Sequence, residues 1–257
     1  MKILSIANLK LTEMRRELGD LLVPFIFPVV FLGAFKLAFS SAEGPMGVPF
    51  FDYLTPGMLV FALLMLAVTV ATSLAREVDK ETLARLRLSL MSSADLLLGA
   101  FLAWTLVACV QVVILFGMSA LLGFAWEGGL VNFLWAMVVC CLAAEASIAL
   151  GLLVASFAKS EGNAGALTTL VTVPVAFFVG SFMPMPLEGL HLVVPWAQAI
   201  RSLRALLLAG VPIDGLLPGL LLMVAQIVVL MAIGILVYSR ARLRPERLTR
   251  FLDPPQL

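Results

Sequence analysis

The sequence predicts an all-α integral membrane protein: six transmembrane helices, an amphipathic helix before them, a charged cytoplasmic segment after the second and an outer hairpin before the last. Three observations carry that prediction. The chain of 257 residues is 62% hydrophobic and only 13% charged, with a mean hydropathy of +1.09, which is more apolar surface than a soluble core of that size can hide. Runs of roughly 20 apolar residues, the length that crosses the hydrocarbon core, follow one another along it. Lysine and arginine gather in alternate gaps between those runs, as basic residues do on the side of the membrane from which a chain inserts. The formal net charge of +1 gives no reason to expect a nucleic-acid partner.

Residues 1–20 carry Ile3, Ala7, Leu11, Met14 and Leu18 at helical spacing, with Ser5, Asn8, Thr12, Arg15 and Arg16 largely off that stripe. Such a helix lies in the headgroup plane, either as an elbow bracing the membrane unit or as a plain surface anchor. The mixed acids and bases here also disfavour a cleavable signal peptide. The first span is 21–39, where Pro24 and Pro28 each delete a backbone donor and predict a kink. The others are 55–75, 96–123, 131–157, 164–183 and 216–238, followed by a basic tail, 239–257. With the N-terminus inside, fourteen of the 17 Lys and Arg fall on the cytoplasmic side and only Lys36, Arg201 and Arg204 on the outer, so both termini are expected in the cytoplasm.

The segment 76–95 holds eight charged residues. On a helix, Glu77 neighbours Lys80 and Glu81 neighbours Arg85, while Leu83, Leu86 and Leu90 form an apolar edge. A solvated loop fits that pattern. So does a lever whose apolar edge seats in a cytoplasmic partner and passes movement into the flanking spans. The segment 184–212 is apolar but divided by Pro184, Pro186, Pro195 and Pro212 into pieces too short to cross, which predicts two short helices entering the outer leaflet under the shelter of the bundle. Arg201 and Arg204 share a face of the second piece, and either snorkelling to headgroups or an outer gate accounts for them.

Counting from the span ends places Gln111, Glu145 and Gln226 near mid-bilayer. A carboxylate costs roughly 2.5 kcal/mol or more at that depth, so Glu145 is expected to face protein or water, or to be protonated. A hydrogen bond from Gln111 or Gln226 across a helix contact is one reading, and direct contact with substrate or an ion is the other. Ala143, Ser147, Gly151 and Ala155 recur every fourth residue as a smooth stripe for close helix approach, within the chain before a dimer seam. Cys109, Cys140 and Cys141 sit in apolar runs and read as small hydrophobes. Trp104, Trp126, Trp135 and Trp196 fall mostly near membrane interfaces. His191 has no ligand cluster beside it in sequence, which disfavours zinc. The chain contains no GxxxxGK[ST], HExxH or GxSxG motif, so it is not expected to hydrolyse ATP by a P-loop, nor to act as a protease or hydrolase.

The run FDYLTPGMLVFALLMLAVTVATSLAREVDKETLARLRLSLMSSADLLLGAFLA resembles the central signature of the ABC-2 type export permeases, membrane subunits of ATP-binding-cassette transporters. Tyr53, Pro56 and Gly57 stand where that family opens its second span, Arg76 and Glu77 where the span leaves the membrane, then Thr82, Leu83 and Arg85, and Leu96 to Gly99 leading into the third span. Gly180 and Pro184, then Pro195 and Arg204, match the family's later pattern. Glu81 occupies a position where relatives commonly have glycine, and a proline common near Met91 is missing.

The resemblance implies a type V exporter-like domain over residues 1–257. Its coupling helix, within 76–95, would dock on a nucleotide-binding subunit through Arg76, Glu77, Lys80, Glu81, Thr82, Leu83, Arg85 and Leu86. Its outer re-entrant gate would involve Pro184, Pro195, Arg201 and Arg204. The partners implied are two cytoplasmic ABC ATPase subunits, which bind ATP and Mg, a second copy of the chain or a homologous permease, and membrane lipid. This chain then carries no cofactor and no enzymatic activity of its own, and resides in the plasma (inner) membrane of a prokaryote. The activity implied is export of an amphipathic, drug-like or lipid-like substrate, favoured over polysaccharide or glycolipid export because few aromatics lie on the expected pathway. An integral membrane enzyme or a non-transporting scaffold is the reading from another class.

Overall fold

A computed structural model describes residues 2–16, 18–39, 41–79, 93–183 and 189–242. Those residues form α1 (Lys2–Arg16), α2 (Leu18–Ala38), α3 (Phe50–Asp79), α4 (Ser93–Leu121), α5 (Gly129–Ala155), α6 (Glu161–Phe178), α7 (Leu190–Val193), α8 (Pro195–Leu207) and α9 (Leu217–Arg242), with 3-10 turns at Pro45–Gly47 and Ile213–Gly215. The described residues include no strand, only an isolated bridge between Glu43 and Pro49. By length and composition α3, α4, α5 and α9 can each cross a membrane. α2 and α6 are helices at the other two stretches the sequence marks as spans. The protein is an all-α membrane protein.

Two helix ends lie five residues from the sequence reading, the largest departures, and backbone turns explain both. α3 begins at Phe50 rather than 55 because residues 41–49 fold back on themselves, with Gly44 N–H donating to Val48 O and Phe50 N–H to Ala42 O, both at 2.9 Å. Pro56 therefore lies inside the helix rather than at its start. α6 ends at Phe178 rather than 183, because Gly180 adopts φ +81° while Ser181 N–H donates to Ala176 O and Gly180 N–H to Phe177 O, each at 3.1 Å. That bond pair closes a helix around a left-handed residue, a conformation glycine tolerates without a Cβ clash. α2 continues through Pro24 and Pro28 as one helix.

α3 is the hub. It packs most extensively on α5 and α6, and α5 in turn meets α9, α4 and α8. Small residues set these distances. A Cβ on Gly151 of α5 would come 2.5 Å from Ala67 O of α3, so glycine lets the two backbones touch. The small stripe on α5 is thus used within the chain, its Ser147 and Ala143 meeting α8 through Trp196. Trp196 is buried rather than interfacial, because Pro195 starts α8 at a point where the next side chain turns into the bundle. α1 lies on α4, where Gly99 leaves room for Ile6. Its buried face is Ile6, Ala7, Lys10 and Met14, rotated from the expected stripe, so that Ile3 and Leu11 are only half-buried. α9 is the most peripheral of the four long apolar helices, and α3 the most deeply buried.

Candidate functional site

The C-terminal end of α3 carries the first part of the candidate site. Arg76 Nε donates to Glu161 Oε2 at 3.0 Å, and its Nη2 also bonds Glu161 Oε1. Two parallel N–H···O bonds make this a fork-on-fork pair, the stronger geometry for an arginine–carboxylate contact. Glu161 is held in place by the helix it begins: Ser160 caps α6 by accepting from Asn163 N–H, and Asn163 Oδ1 accepts from Lys159 N–H. A carboxylate in a helix's first turn and a cation in another's last turn each complement the local dipole. Glu77 belongs to α3, but its side chain, like Lys80, Glu81, Thr82, Leu83, Arg85 and Leu86, lies outside the described residues. Of that candidate set, then, Arg76 is the side chain placed, and it pairs with Glu161 inside the chain. The sequence reading missed Glu161. Ser160 before it signals a helix start, but nothing local identifies a partner 85 positions away.

The polar residues Gln111, Glu145 and Gln226, expected near mid-bilayer, do not pair with one another. Thr105 Oγ1 of α4 donates to Glu145 Oε2 of α5 at 3.0 Å, while Gln111 donates to Ala62 O at 3.4 Å and Gln226 to Leu192 O at 2.9 Å. Each glutamine tethers a separate pair of elements, α4 to α3 and α9 to α7. The expected glutamine–Glu145 bond is corrected to a threonine–glutamate bond because Thr105, not Gln111, lies on the α4 face that meets Glu145. Thr105 Oγ1 also lies 2.9 Å from Phe101 O, and its single proton serves one acceptor at a time.

Along the N-terminal half of α3 runs a register of contacts. Tyr53, Gly57 and Phe61 recur every fourth residue and so share a face. The Arg204 guanidinium lies over the Tyr53 ring, 4.5 Å from its centroid, and donates from Nη2 to Gly180 O at 3.0 Å. Gly57 touches Ser181, whose carbonyl oxygen would be 2.1 Å from a Cβ there. Phe61 meets Phe182 at 4.9 Å between centroids. Arg201, by contrast, is exposed and its Nη1 lies 2.7 Å from His191 Nε2. The two arginines therefore divide: Arg204 ties α8 to the turn after α6, and Arg201 stays at the surface. Pro195 begins α8; Pro184 lies outside the described residues. Asn132 Nδ2, which the sequence reading also missed, donates to both Leu206 O and Val211 O at 3.1 Å and closes the end of α8. Around the Phe182 turn, Phe31, Phe35, Phe61 and Phe177 converge, an aromatic cluster contributed from three separate stretches of sequence.

A bundle of long apolar helices, in which buried hydroxyls such as Thr55, Ser119 and Thr168 bond back to their own helix while a few polar side chains tie one helix to another, defines a multi-pass membrane protein. Its family follows from comparison with known proteins. Residues 2–208 match the family described as ABC-2 type transporter, which is well over half the chain, and the protein belongs to that family. It is accordingly the membrane permease component of an ABC transporter, of the kind that works with ATP-binding subunits. No curated protein matches the chain.

Proposed function

We propose that this chain is the permease of an ABC exporter, crossing the plasma membrane of a prokaryote six times with both termini in the cytoplasm. Two such chains, or one with a homologous permease, form the pathway, and two ATPase subunits grip the 76–95 connector of each half. The observation that carries this reading is the family match across residues 2–208. Nucleotide binding in the partner displaces the connector; the chain's own task is to convert that displacement into a switch between inward-open and outward-open packings of similar energy. The segment 184–212 enters the outer leaflet and forms the outer gate, with α8 sheltered against α5.

An amphipathic or lipid-like cargo suits the interior better than a long glycan. Sugar platforms favour aromatic rings with a polar edge, but Tyr53, Tyr238, Trp104 and Trp196 are all buried in packing. The exposed aromatic faces come mostly from phenylalanine, at Phe27, Phe177 and Phe178. Affinity purification from native membranes in mild detergent tests the reading: a P-loop ATPase should copurify and hydrolyse ATP in the complex. Purified chain that performs chemistry alone, with no ATPase bound, refutes it.

A further inference from the structure

We propose that Arg76 is a positioning residue acting through Glu161: the pair clasps the cytoplasmic end of α3 to the first turn of α6, so that movement of the connector reaches the outer Gly180–Phe182 turn through both helices together. The inference deepens the permease reading and rests on it, because the movement comes from the ATPase partner.

Four contacts define the path. Arg76 and Glu161 join the two helices at their cytoplasmic ends. One turn further in, a Cβ on Gly165 of α6 would sit 3.3 Å from Thr72 of α3, so the helices remain close there. At the far end Gly57 of α3 abuts the backbone of Ser181 just past α6, and Phe61 stacks against Phe182. α3 and α6 are thus fastened to each other at both ends, and the outer fastening bears on Arg204 through Gly180 O. Only the inner fastening is a charge pair. With 25% of the arginine side chain and 42% of the glutamate side chain exposed, water can replace the partner when the clasp opens. Each ion also keeps its favourable helix terminus when parted. Close backbone packing, by contrast, has no such substitute, so the clasp is the element suited to release and re-form during the cycle.

The test uses the permease–ATPase complex in nanodiscs, with Cys109, Cys140 and Cys141 replaced and a reporter introduced by Ser181→Cys. Copurification of the ATPase is scored first; its failure removes the permease reading, and the clasp loses its task with it. In the otherwise native complex, trapping with ATP and vanadate should change the rate at which a membrane-impermeant maleimide labels position 181 by about tenfold, within the usual span of coupling between sites. Arg76→Glu and Glu161→Arg should each abolish that change, and the double swap should restore it. A residue that merely contacted the ATPase would give no effect at Glu161 and no rescue. Labelling indifferent to vanadate in the native background, a silent Glu161→Arg, or a double swap no better than the single variants overturns the proposal.

Discussion

Replacing Gly57 with alanine tests the fold where its helices are most tightly fastened. The added Cβ would stand 2.1 Å from Ser181 O and 2.8 Å from Ser181 C and Cα. All three are backbone atoms, so no rotamer change relieves the contact. Ordinary van der Waals contact begins near 3.4 Å, so α3 and the turn after α6 must separate by about 1 Å, forfeiting close-range dispersion along the seam. Overpacking of a fitted interior costs roughly 1–3 kcal/mol, which for a chain of this size lowers the melting temperature by about 2–10 °C. Gly117→Ala is the matched control, since a Cβ there meets nothing within 4 Å; removing a helical glycine stabilises by up to about 1 kcal/mol. Thermal unfolding of the two purified variants in one detergent, followed by size-exclusion fluorescence, gives the comparison. A Gly57→Ala protein that melts with the wild type while Gly117→Ala does the same would refute the inferred contact between α3 and Ser181.

Asn132→Ala strands the carbonyls of Leu206 and Val211; a loss of about 1–3 kcal/mol is expected, read as a lower melting temperature, with Asn132→Asp recovering little because a carboxylate cannot donate. Glu145→Gln should remain folded and lose under about 1 kcal/mol, the ordinary scale of one interhelical bond in a membrane, because the amide oxygen still accepts from Thr105; failure to assemble would show that the charge itself is required. Single cysteines placed by Ser41→Cys and Lys159→Cys should react with an impermeant reagent from opposite faces of sealed vesicles, and labelling from one face overturns the six-span topology.

Much of the fold is legible in the sequence because long apolar helices announce themselves by composition: the six apolar runs overlap α2, α3, α4, α5, α6 and α9, and α3, α4, α5 and α9 are long and apolar enough to cross a membrane. Their ends are less legible. Phe50 starts α3 through a bond from its N–H to Ala42 O, and Gly180 stops α6 through a left-handed φ; neither is visible in hydropathy. The small stripe on α5 was readable as a contact surface, but choosing α3 and Trp196 as its partners required the packing. Glu145 was readable as costly and needing a partner. Choosing Thr105 over two glutamines required the rotation of α4 about its own axis, which an almost uniformly apolar helix does not encode. Arg76 stood out as a charge at a span end; its bond to Glu161 joins residues whose local surroundings contain no reference to each other.

Everything proposed for transport depends on a separate ATPase seizing the segment between α3 and α4. A photoreactive amino acid replacing Leu86, activated in native membranes, measures that directly. A crosslink to a P-loop ATPase subunit is expected, altered in yield when vanadate traps the nucleotide. Crosslinks only to lipid or to this chain itself, with the ATPase present in the same membranes, would contradict it.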